Sequence, residues 1–380
     1  ARKAVDELMS PEPYGVCSRC VMDTTATDIE FDEGGNCSYC TDFLRTSTVV
    51  IEKDSAQRDA DRDRLLTRVK TKGRGKRYDC VDGVCGGMDS SWALVQAVKH
   101  GLRPLAVHMD NGWNTELAQN NVANLVRTLG VDLHTHVIDW EEYRSLMQAF
   151  FDADVIDVEL LYDNAMLAVN YRLAAEHGIS FILAGTNQPT EGMRMPAGWN
   201  WFKFDKKNIK RLARDVGGVQ LRTFPSIGTL QFINYEFVRR IRWVSFLDHF
   251  EYGKHAALEI LQRDYAYKPY PYKHYESLFT RFYQGFLLLK KFGIDKRRLH
   301  LSSLIMSGQM TRAAALADLA QSPYPSAAAL EQDLRYFLKK MGWSKDQLQA
   351  YLSRPARLHS EFGTEKPLSD FCLLAYRRLA

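Results

Sequence analysis

The sequence has no run of about 18 apolar residues, so no membrane-spanning helix is predicted. Its start lacks an apolar stretch like a secretory signal, and we expect a cytoplasmic protein. Charge of neither sign is in excess: 50 Lys and Arg against 46 Asp and Glu leave +4, which does not indicate a nucleic-acid or membrane binder. A hydrophobic content of 46% excludes wholesale disorder, and 380 residues predict about two to three domains.

Cysteine is scarce apart from one cluster near the start of the chain. Cys17 and Cys20 form one C-x2-C pair, Cys37 and Cys40 form another, and sixteen residues separate the pairs. Each pair predicts a tight turn that points two thiolates at one position, and two such turns give a tetrahedral all-sulfur site that suits structural zinc. An iron–sulfur cluster and four free thiols in a loop are the alternatives.

Composition and periodicity predict four segments along the chain. The cysteine-rich start has too few apolar residues for a core of its own, so a metal would supply one. A strongly charged stretch follows, typical of a solvated helix or linker. The segments are a zinc ribbon at 1–45, a charged helical linker at 46–76, a nucleotide-binding domain at 77–225, and a helical substrate or partner region at 226–380.

Strand and helix patterns alternate in the third segment. Short β-rich runs at 78–84, 104–110, 133–139 and 181–185 are separated by helical patterns at 88–100, 114–129, 140–152 and 160–177. This alternation predicts an α/β fold with a doubly wound parallel sheet covered by helices on both faces. Ligands of such sheets bind beyond the carboxyl ends of the strands.

The sequence GVCGGMDSS at 83–91 lies directly after a strand and directly before a helix. Small residues there let backbone amides surround an anion, and the dipole of the helix adds to the attraction. Asp89 would repel a phosphate unless a cation such as Mg²⁺ lay between them. The structural alternative is a glycine turn in which Ser and Asp cap the helix.

This loop resembles the SGGxDSS loop of the ATP pyrophosphatases (PP-loop superfamily), which include asparagine synthetase, NAD synthetase and the tRNA-thiolating enzymes. No Gly-Lys-Ser/Thr follows, so the sequence is not a Walker A motif. Cys85 stands where the family usually has Ser, and a thiol is a weaker hydrogen-bond donor than a hydroxyl.

Three further motifs narrow the resemblance. VHMDNGWN at 107–114, KHYESLFTRFYQ at 273–284 and KKFGIDKRRLHLSSLIMSGQMTR at 290–312, behind a four-cysteine ribbon, are similar to the N-acetyl sugar amidotransferases of lipopolysaccharide and surface-polysaccharide biosynthesis. The resemblance covers about residues 15–315. It implies a reaction in two steps. The acetamido oxygen of a sugar is adenylated by ATP with release of pyrophosphate, and ammonia then displaces AMP.

The resemblance also implies roles for particular residues. Asp89, Asp110 and Glu191 are expected to be catalytic, and Glu191 would bind metal or orient the attacked amide. For Trp113 a packed strand-to-helix turn is an equal alternative, and for the basic residues the alternative is a solvated helix. The expected ATP-binding residues are Val84, Cys85, Gly86, Gly87, Asp89, Ser90, Ser91, His108, Asp110, Gly185 and Asn187, and the expected substrate-binding residues are Trp113, Glu191, Lys273, His274, Arg281, Lys290 and Lys291.

No glutaminase half is recognised in the sequence. The resemblance implies a separate partner that supplies ammonia, similar to the glutaminase and cyclase subunits of imidazole-glycerol-phosphate synthase. The expected substrate is a nucleotide-linked diacetamido uronic acid or a sialic-acid-like sugar, and ATP, Mg²⁺ and structural Zn²⁺ are the expected cofactors. A tRNA-modifying enzyme is the alternative, disfavoured because no Cys lies between Cys85 and Cys372 and the net charge is small; a non-catalytic relative is a third.

Overall fold

The computed structural model describes residues 14–270 and 276–379. The chain divides into two compact units. Unit 1 contains the cysteine-rich segment up to Glu52, together with Gln188–Trp199 and Gly293–Pro323. Unit 2 contains Lys53–Asn187, Asn200–Phe292 and the chain from Tyr324 onward. The four-segment division made from composition stays a prediction.

Unit 2 is built on a five-stranded parallel sheet. Its strands are β1 Cys80–Gly83, β2 Pro104–Asp110, β3 Asp132–Val137, β4 Phe181–Ala184 and β5 Arg242–Ser245. They lie in the order β3-β2-β1-β4-β5. Four of the strands were expected, which confirms the α/β class. The fifth, β5, was not expected, because it lies in the C-terminal region, which is mostly helical as predicted.

Helices connect the strands and form most of the remaining described chain. Segments of π-helix extend three of them, at Leu212–Val216, Asn234–Val238 and Tyr283–Phe292. The α-helices are α1 Ser38–Thr46, α2 Thr48–Ile51, α3 Ser55–Gly73, α4 Met88–Lys99, α5 Glu116–Leu129, α6 Trp140–Asp152, α7 Leu160–Glu176, α8 Gln188–Glu191, α9 Lys206–Arg211, α10 Thr229–Ile233, α11 Lys254–Tyr265, α12 Leu278–Phe282, α13 Arg297–Met306, α14 Arg312–Ala320, α15 Ala327–Met341, α16 Lys345–Ser353 and α17 Lys366–Leu379.

Apolar residues cover both faces of the sheet, as expected for a parallel sheet between helices. The hydrophobic cluster on one face includes residues of α6, α7 and α15, among them Phe150, Val169 and Phe337. The cluster on the other face includes residues of α3, α4, α5 and α11, where Leu94 and Leu261 are fully buried. No helix of the described residues is both long and apolar enough to cross a membrane.

Local capping explains where the helices near the strand tips begin. The Thr115 side chain accepts a hydrogen bond from the Ala118 amide (3.1 Å), and Asp139 does the same for Glu142 (2.8 Å). These N-caps satisfy amides that a helix start leaves unpaired. They fix the turns after β2 and β3, so the polar residues that follow each strand lie at the carboxyl edge of the sheet.

Asp82, in the middle of β1, is a fully buried carboxyl group. Among the described residues neither of its oxygens has a hydrogen-bond partner, and burial raises its pKa well above the ordinary value. The folded protein therefore keeps a proton that the unfolded chain loses above about pH 4. The free energy of unfolding should fall as the pH rises from that value toward the raised pKa.

We expect Asp82→Asn to raise the Tm by a few degrees at about pH 8 and to change it little at about pH 4, because Asn cannot ionise. Thermal unfolding measured across this pH range checks the prediction. Asp63→Asn, at an exposed position on α3, is the control and should leave the pH dependence unchanged. An equal Tm for Asp82→Asn and the parent protein at both pH values would contradict it.

Candidate nucleotide and metal sites

The loop between β1 and α4 makes two close backbone approaches that only glycine allows. Gly86 has φ +84°, and a Cβ there would lie 2.6 Å from the carbonyl oxygen of Ala118 on α5. A Cβ on Gly185, just after β4, would lie 2.6 Å from the amide nitrogen of Ser90. The loop is therefore enclosed between α5 and the end of β4, at the carboxyl edge of the sheet where ligands of parallel sheets bind.

The loop is closed by hydrogen bonds of its own, but the start of α4 has no side-chain cap. Ser90 and Ser91 both donate from Oγ to the carbonyl of Gly87, at 3.2 and 2.8 Å, and the Cys85 amide donates to Ser90 Oγ at 3.4 Å. Gly87 is the N-cap of α4 and has no side chain to accept from the first-turn amides. Those amides and the helix dipole can therefore hold an anion.

His108 and Val84 join β2 to the start of the loop. His108 is buried, and its Nδ1 lies 2.8 Å from the carbonyl of Val84. Its Nε2 lies 3.2 Å from the side-chain nitrogen Nδ2 of Asn114. Because Nδ2 is a donor, Nε2 accepts and Nδ1 carries the proton. Both ring nitrogens are used by the protein, which makes His108 a support for the loop. Its predicted contact with ATP stays a prediction.

Two carboxylates lie beside the loop. Asp89, in the first turn of α4, accepts a hydrogen bond from the hydroxyl of the buried Tyr252. The carboxyl group of Glu276 lies 3.8 Å from the position that a Cβ on Gly87 would take. Carboxylate oxygens are ligands that Mg²⁺ prefers, so these two groups are candidates to hold a cation beside an anion at the turn.

Tyrosines enclose the same side of the loop. The Tyr270 hydroxyl donates to the carbonyl of Gly86 at 3.1 Å, and burial raises the pKa of Tyr270 and of Tyr267 above the ordinary value. Burial, with the nearby charge of Glu276, also raises the pKa of the Cys85 thiol to about 11. Cys85 is therefore a neutral thiol at neutral pH and not an activated nucleophile.

The residues after β2 form a hydrogen-bonded turn. Asp110 accepts from the Gly112 amide at 2.8 Å, and Asn111 accepts from the Trp113 amide at 3.1 Å. The Trp113 ring is 1% exposed and lies among aromatic rings of the core, including Trp140 and Phe279. Trp113 is therefore packed in a strand-to-helix turn, as one of the two alternatives predicts. The roles predicted for Asp110 and Trp113 in binding stay predictions.

The chain after β4 carries the predicted site residues Gly185, Asn187 and Glu191 and passes from unit 2 into unit 1 after Asn187. Asn187, which is buried, ends the unit 2 part and donates from Nδ2 to the carbonyl of Gly185 at 3.3 Å. Glu191 is exposed and ends the short helix α8 in unit 1, whereas the neighbouring Thr190 is buried and so is not on a solvated surface loop. The catalytic role of Glu191 stays a prediction.

Two of the basic residues predicted to bind substrate are paired with buried acids. Arg281 forms a two-point ion pair with Asp333, and Lys291, whose side chain is fully buried, donates to Asp154 at 2.8 Å. Lys291 also donates to two backbone carbonyls, which uses its three donors. Lys290 is exposed. Lys273 and His274 lie outside the described residues, and α12 begins at Leu278 with Ser277 as its N-cap.

The four clustered cysteines of unit 1 are buried, and their sulfur atoms all lie within 4.8 Å of one another. The Sγ–Sγ distances are 3.8 Å for Cys17–Cys40 and 3.7 Å for both Cys20–Cys37 and Cys37–Cys40. A tetrahedral ion with metal–sulfur bonds of about 2.3 Å requires sulfurs about 3.8 Å apart. The donor set therefore fits a single zinc ion, and backbone amides such as that of Cys37 point at the sulfurs.

Comparison with known proteins finds a family similarity in the last part of the chain. Residues 276–376 match the family described as LPS biosynthesis protein WbpG-like, C-terminal domain. This stretch, which is similar to that family, is here named the WbpG-like domain. This match confirms the resemblance to proteins of lipopolysaccharide biosynthesis that the sequence motifs predict. No curated protein matches the chain.

Solved structures show only a distant similarity. NMN synthetase from Francisella tularensis is 13% identical with a TM-score of 0.29, over 50% of this chain and 97% of that one. A predicted subunit of tRNA methyltransferase from Methanocaldococcus jannaschii is 19% identical (TM-score 0.28; 47% and 76% covered), and NH3-dependent NAD synthetase from Campylobacter jejuni is 15% identical (TM-score 0.30; 55% and 84% covered). At these TM-scores the similarities carry no conclusion about function.

The sequence did not point to Glu276, the first residue of the WbpG-like domain. A short antiparallel bridge pairs Asn114 with Ser277, and the Thr115 amide donates to the Glu276 carbonyl at 2.9 Å. This bridge brings the start of the domain to the edge of the sheet beside Gly87. Glu276 lies within the motif KHYESLFTRFYQ, in which only basic residues were predicted to bind substrate.

We expect Cys85→Ser to keep activity or raise it by up to about tenfold, because a hydroxyl is a better donor than a neutral thiol and one hydrogen bond contributes about 1 kcal/mol. The rate of AMP formation from ATP checks this. Cys372→Ser, far along the chain in α17, is the matched control and should change nothing. Complete loss of activity in Cys85→Ser would show instead that the thiol has a specific role.

Proposed function

We propose that the protein is an ATP-dependent amidotransferase of surface-polysaccharide biosynthesis. It would convert an acetamido group of an N-acetylated nucleotide sugar or sialic-acid-like sugar into an acetamidino group, with release of AMP and pyrophosphate. The observation that carries the proposal is the glycine-lined loop at the end of β1, where Gly86 and Gly185 hold backbone in positions closed to any side chain. The WbpG-like domain supports the setting in lipopolysaccharide biosynthesis.

In this proposal the loop binds the β- and γ-phosphates of ATP. The uncapped amides at the start of α4 would donate to the phosphate oxygens, as helix N-termini do at other phosphate sites. Bound Mg²⁺ would offset the charge of the pyrophosphate. Asp89 and Glu276, which lie beside the loop, would hold that ion, and the hydroxyl of Tyr252 would keep Asp89 oriented.

The chemistry follows from the weakness of an amide carbon as an electrophile. The acetamido oxygen attacks the α-phosphorus of ATP, a P–O bond to pyrophosphate breaks, and an imidoyl adenylate forms. Ammonia then adds to the activated carbon, and AMP leaves with the former carbonyl oxygen. The protein mainly positions the reactants and stabilises developing charge, and both effects lower the barrier.

Other residues complete the proposal. Glu191 would bind metal or orient the acetamido group, and Lys290, exposed in the WbpG-like domain, would meet the anionic part of the sugar nucleotide. Ammonia would come from a separate glutaminase partner. Zinc in the four-cysteine centre would be structural, because four thiolates leave no open position on a tetrahedral ion.

Mass spectrometry of the sugar product tests the function. The purified protein is incubated with ATP, Mg²⁺, ammonium and a panel of nucleotide-linked diacetamido sugars and sialic-acid-like sugars. We expect one sugar to lose one mass unit, because NH replaces oxygen, and AMP to form in equal amount. ATP hydrolysed to ADP, or AMP formed with no change in any sugar, would contradict the proposal.

We expect Glu276→Gln to weaken Mg²⁺-dependent binding of ATP by about tenfold, because a neutral amide cannot replace the charge of a carboxylate at the ion. Calorimetric titration of ATP with and without Mg²⁺ separates this effect from direct contact with the nucleotide. Glu331→Gln, on α15 of the same domain, is the control. Equal Mg²⁺ dependence in Glu276→Gln and the parent protein would remove Glu276 from the ion site.

A further inference from the structure

The segment Gln188–Trp199, which carries Glu191, is held by the cysteine-rich segment of unit 1. The Ser47 hydroxyl donates to the Gln188 side chain at 2.6 Å. Arg194 binds Asp28 at 2.9 Å and Asp42 at 3.0 Å, and both acids follow the cysteines closely in sequence. Helix α8, only four residues long, cannot hold its own position, so these contacts place it.

A second set of contacts fixes the far end of the same segment. The Trp199 ring is 1% exposed, and its indole nitrogen donates to the carbonyl of Thr25 at 3.1 Å. The Ala197 amide donates to Asp28 at 3.2 Å, and the Arg194 guanidinium lies 4.4 Å from the centre of the Tyr39 ring. Both ends of the segment therefore depend on the folded cysteine-rich segment.

Helix α13 contacts the same segment from another side. His300 Nδ1 lies 3.2 Å from the carbonyl of Thr190, and the Ser307 hydroxyl, directly after α13, donates to the carbonyl of Pro189 at 2.7 Å. The Met193 amide donates to Ser303 at 3.1 Å. These bonds hold the backbone on both sides of Glu191, at Pro189 and Thr190 before it and at Met193 after it.

Helices α13 and α14 also form hydrogen bonds with the first cysteine turn, Cys17–Cys20, and with the residue after it. Arg312 donates to the carbonyls of Cys17 (2.8 Å) and Cys20 (2.9 Å), the two ends of that turn. Arg298 donates to the carbonyl of Val21 at 2.7 Å, and the Val21 amide donates to Ser302 at 3.3 Å. One pair of helices thus connects the cysteine turn to the backbone beside Glu191.

The cysteine-rich segment has a small apolar core beside its four sulfurs. Val21 packs with Leu301 and Ala315, and Met22 and Phe43 are buried as well. A bound ion that joins four thiolates would add folding free energy to this segment. Loss of that ion would therefore weaken the contacts that hold Gln188–Trp199.

We propose that the four-cysteine metal centre positions the Gln188–Glu191 turn, with Arg312 as the positioning residue that ties the first cysteine turn to α13 and α14. Metal occupancy then governs where Glu191 stands. The consequence for catalysis rests on the proposed function, but the structural link does not.

Hydrogen exchange followed by mass spectrometry tests the link on the full chain. After removal of zinc by a chelator we expect faster exchange in Gln188–Trp199 and in α13, together with the cysteine-rich segment, while β1 and β2 stay protected. Readdition of zinc should restore protection. Exchange that rises in the cysteine-rich segment but stays unchanged in Gln188–Trp199 would overturn the proposal.

Arg312→Ala tests the positioning residue. We expect zinc release to a colorimetric chelator about 10- to 100-fold faster than in the parent protein, as for other groups that orient metal ligands, and lower protection in Gln188–Trp199 with zinc bound. Arg19→Ala, an exposed arginine inside the first cysteine turn, is the matched control and should change neither. Parent-like release and protection in Arg312→Ala would refute its role. Neither readout needs turnover, so failure of the proposed function leaves this test intact.

Discussion

Asp89→Asn is expected to lower the rate of AMP formation by about 100-fold or more, the cost typical of losing one group that stabilises charge in a transition state. The change keeps the size of the side chain and an oxygen that can accept from Tyr252, but it removes the negative charge at the start of α4. Single-turnover measurement of AMP with saturating ATP and Mg²⁺ checks the prediction.

Tyr252→Phe separates charge from orientation in the same experiment. It keeps the Asp89 carboxylate and removes only the hydroxyl that holds it, so the rate should fall by about tenfold at most, the value of one hydrogen bond. Circular dichroism confirms that both variants fold. If Asp89→Asn kept most of its activity, Asp89 would have no part in the reaction.

Cys17→Ser is expected to abolish stable zinc binding and to unfold much of the cysteine-rich segment. A structural zinc site contributes about 10–16 kcal/mol of binding free energy, and because the unfolded chain has no preformed site, this is also folding free energy of the segment that binds the ion. Elemental analysis of the purified protein should give one zinc per chain in the parent protein and close to none in the variant.

Cys372→Ser is the control for this change, because Cys372 lies in α17 and outside the cluster. It should keep the parent zinc content. Full zinc content in Cys17→Ser would contradict a four-cysteine site, and iron in place of zinc would identify the alternative that the spacing of the cysteines leaves open.

The sheet was predictable where strand and helix patterns alternate along the chain. β2 matches its expected bounds, since Pro104–Asp110 is an apolar run that ends in a polar turn. The exposed edge strand β3 was recognised within the same alternation. β5 was missed because Arg242–Ser245 has only four residues and lies beyond that alternating part of the chain. An edge strand of this kind is recognised only from its pairing with β4.

The candidate site was predictable only where it is local in sequence. The residues from Val84 to Ser91 form one turn, so their motif already contains the geometry. Glu276 comes to that turn through a bridge between Asn114 and Ser277, a pairing that no local pattern records. Long-range contacts of this kind follow from the packing of whole elements.

Basic residues were the hardest to assign. Arg281 and Lys291 have the charge that a phosphorylated sugar needs, yet Asp333 and Asp154 lie beside them in the folded chain. Removing an acid from such a buried pair leaves an uncompensated charge, so these pairs are tightly constrained by the fold. Sequence alone does not tell which arginine or lysine is buried with an acid and which faces solvent.

The fate of the acetamido oxygen tests the central claim most directly. A sugar substrate labelled with heavy oxygen in its acetamido carbonyl is incubated with the protein, ATP, Mg²⁺ and ammonium, and the AMP is analysed by mass spectrometry. The account predicts that the label appears in the phosphate of AMP, because that oxygen leaves with the adenylyl group. Label that stays in the sugar or appears in water, with unlabelled AMP, would contradict it.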